Sequence, residues 1–242
     1  MTTTPSALVI GAGPGLGMSI AHRFGAGGHR VALVSRSEKR HQGYLDALAA
    51  AGVDATAHAA DIRDPQQLNA ALDAIALEHP RIEVLYYGPG GVDDVFRPVP
   101  IAETTSDNVR SAFTWVYPAI DIVQKVLPGM RERGTGSVLI AGGLSGQIPM
   151  PALGNLALSA AALRNYALTL NAGLSDMGIY AGTLTIGGLV ERGDIYEMVS
   201  NDEEMSKMAA GRTLNPDDLA DVAWDMHRKR DRPEETFNVL DL

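Results

Sequence analysis

The chain has 242 residues, 45% of them hydrophobic and 20% charged, which is enough for one globular domain with a full core. A formal net charge of -9 argues against nucleic acid as a partner, because phosphate binding needs clustered Lys and Arg. The absence of cysteine excludes disulfides and thiolate chemistry and suits a reducing cytoplasm.

The start, Met1-Thr2-Thr3-Thr4-Pro5, has no basic stretch before an apolar run, so no secretory leader is expected. No apolar stretch reaches about 18 residues, so no membrane span is expected either. Strand and helix patterns then alternate to the end of the chain, which predicts a parallel sheet of about seven strands with helices on both faces. Ala7-Leu8-Val9-Ile10 reads as a buried strand. The turn Gly11-Ala12-Gly13-Pro14-Gly15-Leu16-Gly17 follows, then a helix to about Phe24. Val31 to Val34 is the second strand, and Ser37 caps a helix that Gly52 stops. Val53 to Ala59 is the third strand, and Pro65 opens the third helix.

Ile82 to Tyr87 is the fourth strand, broken by Gly88-Pro89-Gly90-Gly91. Two helices lie between about Ser106 and Arg133, and Ser137 to Ala141 is the fifth strand. A long helix covers about Leu153 to Met177, followed by the sixth strand, Ile179 to Ile186. Residues 189 to 213 are less regular and read as a mobile cover over a site. Asn215 caps the last helix, and its basic end, His227-Arg228-Lys229-Arg230, is read as facing water. Phe237-Asn238-Val239-Leu240 is the last strand.

The glycine turn sits directly after a strand and directly before a helix. Glycine lets the backbone turn sharply and approach a pyrophosphate, while the helix N-terminus presents free N–H groups. The bare pattern also fits a plain tight turn, so its context matters. At the end of the second strand, a carboxylate would serve the ribose of the unphosphorylated cofactor. Ser35 and Arg36 stand there instead, with Lys39 and Arg40 one turn on. A guanidinium pairs with a 2′-phosphate that a carboxylate would repel, which favours NADP(H) over NAD(H). Asp61 and Ile62, just past the third strand, fall where a carboxylate accepts from an adenine amino group. A plain helix-start acid is the alternative for Asp61.

On these residues the chain resembles the short-chain dehydrogenase/reductase family over nearly its whole length. Gly11, Gly15 and Gly17 match its spaced glycines, and Ala60-Asp61-Ile62 its adenine-side motif. Leu127-Pro128-Gly129-Met130, Gly136-Ser137-Val138, Ser159 with Ala161-Ala162-Leu163, and Asn215-Pro216-Asp217-Asp218-Leu219-Ala220 match later landmarks. The resemblance implies a doubly wound fold, a bound dinucleotide and a homodimer or homotetramer paired through the two helices after the fourth strand. Those helices carry Trp115, Tyr117, Ile120 and Val123.

The resemblance also implies a tyrosine that moves the proton, a lysine four residues on, a serine and an asparagine. In this chain Leu156 aligns with the tyrosine, Ala160 with the lysine, Gly143 with the serine and Trp115 with the asparagine. Tyr87-Gly88-Pro89-Gly90 replaces the stretch after the fourth strand, and Gly187-Gly188 the pair after the sixth. The four lysines are Lys39, Lys125, Lys207 and Lys229, none on the long helix, and Tyr166 lies too far along it. The site is therefore expected to be apolar and to suit a small apolar ligand.

Tyr87 is the better candidate for a substitute proton donor, with simple packing as the plainer alternative. Asp93 and Asp94 read as solvated loop acids. Asn155, Ser145 and Ser159 offer hydrogen bonds near the site, and Glu191 with Arg192 reads as a cofactor contact or a lid pair. The six histidines fall on early helices, strand edges or surface turns, and no group of His, Asp and Glu has metal-ligand spacing. Three functions fit these residues. The first is a reductase acting on an iminium or activated alkene. The second is a non-catalytic NADP(H)-binding sensor or scaffold. The third is a non-redox cyclase or isomerase.

Overall fold

The computed structural model describes residues 4–91 and 97–240, so Asp93, Asp94 and the first three residues lie outside it. The strands are β1 (Ser6–Ile10), β2 (Arg30–Ser35), β3 (Ala55–Ala59), β4 (Ile82–Tyr87), β5 (Gly136–Gly143), β6 (Ile179–Gly187), β7 (Leu189–Val190), β8 (Thr213–Leu214) and β9 (Glu234–Asn238). The helices are α1 (Leu16–Ala26), α2 (His41–Ala50), α3 (Pro65–Glu78), α4 (Ser106–Phe113), α5 (Tyr117–Arg133), α6 (Gly154–Leu174), α7 (Asp194–Ser200), α8 (Glu203–Ala209) and α9 (Pro216–Lys229).

Seven strands make one all-parallel sheet in the order β3-β2-β1-β4-β5-β6-β9. The chain runs outward from β1 to β3, then crosses back to place β4 on the other side of β1. This reversal opens a crevice at the carboxyl ends of β1 and β4, where ligands bind in such sheets. The sheet is buried on both faces, so its inner strands read as continuous apolar runs. One face packs Leu8, Ile10, Leu85 and Tyr87 against residues such as Leu72, Ile122 and Leu163 of α3, α5 and α6. The other packs Val9, Leu33 and Tyr86 against Ile20, Phe24, Leu48 and Met226 of α1, α2 and α9. Strand alternation sends the adjacent Tyr86 and Tyr87 into different cores.

Local chemistry explains the ends of elements. Asp64 accepts from the N–H groups of Gln66 and Gln67 at the start of α3, and Asn215 from Asp217 at the start of α9. Thr105 and Asn108 form a reciprocal capping box on α4. Ser37 caps as expected, but first a single 3-10 turn, Glu38–Arg40, that leads into α2.

Three sequence expectations need correction. Residues 189 to 213 are more regular than their pattern suggests, with two short helices, α7 and α8, and the small β7-β8 sheet. The last strand starts at Glu234 rather than Phe237, because Glu234 pairs with Thr183 on β6 and its carboxylate takes Thr185 Oγ1 (2.7 Å) and Arg164. His227, expected to face water, is buried, as are His29, His41 and His79. Hydroxyl partners make burial tolerable for three of them. Ser35 Oγ meets His41 Nε2 at 2.8 Å, Ser6 Oγ meets His79 Nδ1 at 3.0 Å, and Ser137 Oγ meets His227 Nδ1 at 2.8 Å. Of the basic end of α9, only Arg228, Lys229 and Arg230 face water.

Trp115 and Val123 belong to the core, Ile120 packs partly against it, and Tyr117 stands exposed. Among the described residues, no helix is long and apolar enough to cross a membrane.

Candidate active site and cofactor crevice

The glycine turn forms one wall of the crevice. Gly11 has φ +93°, and a Cβ there would stand 2.6 Å from the Gly88 carbonyl oxygen. Only glycine lets the ends of β1 and β4 approach this closely. A Cβ on Gly15 would meet the backbone of Glu191 and Gly193 at 3.0–3.2 Å, so the chain after β6 lies over the turn.

A cavity of about 340 Å³ fills the β2 end of the crevice. Gly11, Ala12, Gly13, Ser35, Arg36, Lys39, Arg40, Tyr44, Ala60, Ile62, Pro89 and Trp115 line it. The expected cofactor residues Gly11, Gly13, Ser35, Arg36, Ile62 and Pro89 thus share one space, with three cations at its end. Asp194 also lines it and takes Arg40 Nη1 at 2.7 Å, a pair that joins the start of α7 to the turn before α2. This pairing lifts the Arg40 guanidinium further above its ordinary pKa. Burial raises the neighbouring Tyr44 phenol.

Two residues stand differently from expectation. Ser35 Oγ is engaged by His41 Nε2 and the Ser37 carbonyl. Asp61 does not line the cavity, whereas its neighbours Ala60 and Ile62 do. Arg63 clasps its carboxylate, with Nε to Oδ1 at 2.9 Å and Nη2 to Oδ2 at 2.7 Å, and holds its pKa below the usual range. The Arg63 guanidinium also lies 5.1 Å from the centre of the Trp115 ring. The plainer alternative for Asp61, a local helix-start acid, therefore describes its contacts.

A second cavity of about 420 Å³ adjoins the first and runs under α6 and the chain after β6. Gly13, Pro14, Gly15, Leu16, Gly17, Gly88, Pro89 and Gly188 line it on the turn side. Opposite them stand Trp115, Gly143, Leu153, Leu156, Ala160, Leu163 and Ile186. The four positions singled out by the resemblance, 115, 143, 156 and 160, thus meet in one space. Among the described residues lining this cavity there is no lysine, histidine or glutamate.

Tyr87 lines this cavity but is buried, and its hydroxyl donates to the Trp115 carbonyl at 2.6 Å. Burial pushes its pKa far above the ordinary phenol value, and that of Tyr86 likewise. This hydroxyl is committed to the backbone and resists losing its proton. The expected substitute donor is a packing residue in this arrangement. Asn155 is buried and holds the loop before α4, taking Val99 N–H at 2.8 Å and donating to the Arg97 carbonyl. Ser159 donates to the Leu156 carbonyl within its own helix. Ser145 lines the cavity. Glu191 and Arg192 do not pair with each other. Thr213 Oγ1 donates to the Glu191 carboxylate, and the Arg192 guanidinium donates to Asp217, Ser19 and Asn215. Tyr166 packs against the core, away from the crevice, as expected.

A sequence profile described as short chain dehydrogenase matches residues 5–195. The chain belongs to the short-chain dehydrogenase family. An NADP-dependent 3-hydroxy acid dehydrogenase of Salmonella typhi is 26% identical over 224 residues, covering 90% of this chain and 86% of that protein. A 3-oxoacyl-[acyl-carrier-protein] reductase of Staphylococcus aureus is 23% identical over 203 residues, covering 84% and 80%. Among solved structures, an NADPH-dependent reductase involved in bacilysin biosynthesis superposes with a TM-score of 0.86 at 18% identity, covering 99% of both chains. The L-sorbose reductase of Gluconobacter frateurii, complexed with NADPH and L-sorbose, gives 0.84 at 18% identity, covering 99% and 96%. These likenesses establish the Rossmann-like fold of an oxidoreductase family with NADP-dependent members.

Proposed function

We propose that the crevice binds NADP(H) in preference to NAD(H) and that the protein reduces a small apolar substrate without an enzyme-borne acid. Reduced nicotinamide supplies a hydride when bound. The turn amides of Gly13, Gly15, Leu16 and Gly17 at the N-terminus of α1 would hold the pyrophosphate, and Arg36 with Lys39 the 2′-phosphate. Gly88, Pro89 and Gly188 would flank the dinucleotide. Leu156, Ala160, Leu163 and Trp115 would exclude water and position an apolar substrate.

One observation carries the second half of this reading. The cavity beside the glycine turn has apolar or hydrogen side chains at positions 115, 143, 156 and 160, and its tyrosines are sealed in the core. An iminium ion suits a site without an acid, because hydride addition gives a neutral amine and needs no proton. An activated alkene needs one proton at carbon, which water delivers.

The test is multiple turnover of cyclic iminium ions and cyclic enones, followed as loss of reduced-nicotinamide absorbance, beside fluorescence titrations with NADPH and NADH. Turnover with tight NADPH binding supports the proposal. Tight binding without turnover of any candidate favours a non-catalytic NADP(H)-binding protein, and turnover without cofactor a cyclase or isomerase. We also propose a homodimer or homotetramer joined on α4 and α5, where Tyr117 is exposed. Light scattering on Tyr117→Asp, with a monomer as the expected result, tests that contact.

A further inference from the structure

The edge of the sheet opposite the crevice holds a buried cluster that the crevice does not use. His29 precedes β2, Glu83 is the second residue of β4, and His227 lies near the end of α9. One ligand atom from each lies within 4.8 Å of the other two.

The His29 side chain is only 5% exposed, and neither of its ring nitrogens makes a hydrogen bond of good geometry. The rings of Phe24, Trp224 and His227 surround it, with centroids 5.7, 5.9 and 5.7 Å away. A buried imidazole normally finds a partner, so an unsatisfied one marks a place where something else binds. Its neighbours are already oriented. Ser137 Oγ meets His227 Nδ1 at 2.8 Å, which leaves Nε2 for the cluster. Arg81 donates to Glu83 Oε2 at 2.9 Å, while Oε1 faces His29 Nε2 at 4.0 Å. Outer partners of this kind fix metal-bound histidines and carboxylates.

We propose that His29, Glu83 and His227 form a binding site for a divalent transition-metal ion of the zinc type. Two neutral imidazoles and one carboxylate are a donor set that suits zinc, with water as a fourth ligand. Zinc ligand bonds of about 2.0–2.2 Å set donor atoms roughly 3–3.6 Å apart, so the three side chains must draw together by about 1 Å. Arg81 offsets part of the carboxylate charge, so the two imidazoles carry much of the binding. The ion would tie the end of α9 to the starts of β2 and β4. Its place at the amino ends of the strands makes it a structural site, remote from hydride transfer.

The full chain, stripped with a chelator and dialysed, is titrated with Co²⁺ and then with Zn²⁺. The expected result is one equivalent of Co²⁺ with visible absorption bands, displaced by Zn²⁺, and a higher melting temperature with Zn²⁺. Glu83→Gln should weaken binding at least 10-fold, and His227→Gln at least 100-fold. Ser137→Ala should weaken it about 10-fold by freeing the His227 ring. Long-range proton–nitrogen spectra of the unsubstituted protein read the site even where a variant fails to fold. Zn²⁺ should move the ring nitrogens of two of the six histidines, His29 and His227. No bound Co²⁺, binding unchanged in folded variants, or zinc shifts confined to other histidines would each overturn the proposal.

Discussion

The two ends of the crevice share one scaffold and differ in chemistry. The β2 end has a glycine turn, three cations and two aromatic rings, Tyr44 and Trp115. The α6 end has Leu153, Leu156, Ala160 and Leu163, with no basic group among the described lining residues. The first depends on backbone: a positive φ at Gly11, a reversal of strand order, and a helix N-terminus. These cannot change without rebuilding the sheet. The second depends on side chains one helix turn apart, which change without disturbing the fold. The first end is therefore fixed by the fold, while the side chains of the second are free to vary.

Gly11→Ala should break the first end most severely. The added methyl meets the Gly88 carbonyl at a backbone angle that alanine rarely adopts. We expect a loss of about 3 kcal/mol or more, read as a fall in melting temperature, together with loss of NADPH binding. An unchanged melt would mean that β1 and β4 separate easily at this point. Arg36→Ala acts on the same end more gently. Loss of one charge-assisted contact should weaken NADPH about 10- to 100-fold and leave NADH within a factor of about two. Equal losses for both cofactors would remove Arg36 from the 2′-phosphate.

Tyr87→Phe sharpens the contrast from the other side. It deletes a buried hydrogen bond to the Trp115 carbonyl, which should cost roughly 1–2 kcal/mol of stability. Turnover should stay within about two-fold, since the hydroxyl is not a donor in this arrangement. A hundred-fold loss of turnover at an intact melting temperature would reinstate it.

Much of this was legible in the sequence because its signals are local. The glycine turn, the caps at Ser37 and Asn215, and the apolar strand runs each declare themselves within a few residues. What escaped depends on pairs far apart in the chain. Nothing near Arg40 announces Asp194, and nothing near His29 announces Glu83 and His227. The partner of Asp61 was also not foreseen: Arg63, two residues on, clasps its carboxylate. The short helices α7 and α8 carry too few turns for a clear apolar period. Tyr87 shows a further limit, because alternation assigns it a face but not the carbonyl that occupies its hydroxyl.

The smallest expected effect concerns the side of the sheet away from both ends. His79 is buried between Ser6 Oγ and Thr56 Oγ1, at 3.0 and 2.9 Å. A neutral ring satisfies both hydroxyls with one N–H and one lone pair. Burial, above all, holds its pKa below the ordinary 6.5. The unfolded chain takes up a proton near 6.5 while the folded ring does not, so in that window the unfolded state binds more protons. Stability is complete above 6.5 and falls as the pH drops toward the folded pKa. His79→Gln removes this group and should flatten part of the decline in melting temperature between neutral and mildly acidic pH. His29 and His41 are shifted in the same direction, so the rest of the slope should remain. A variant whose curve lies parallel to the unsubstituted protein's across that window would show that the His79 proton is not coupled to folding.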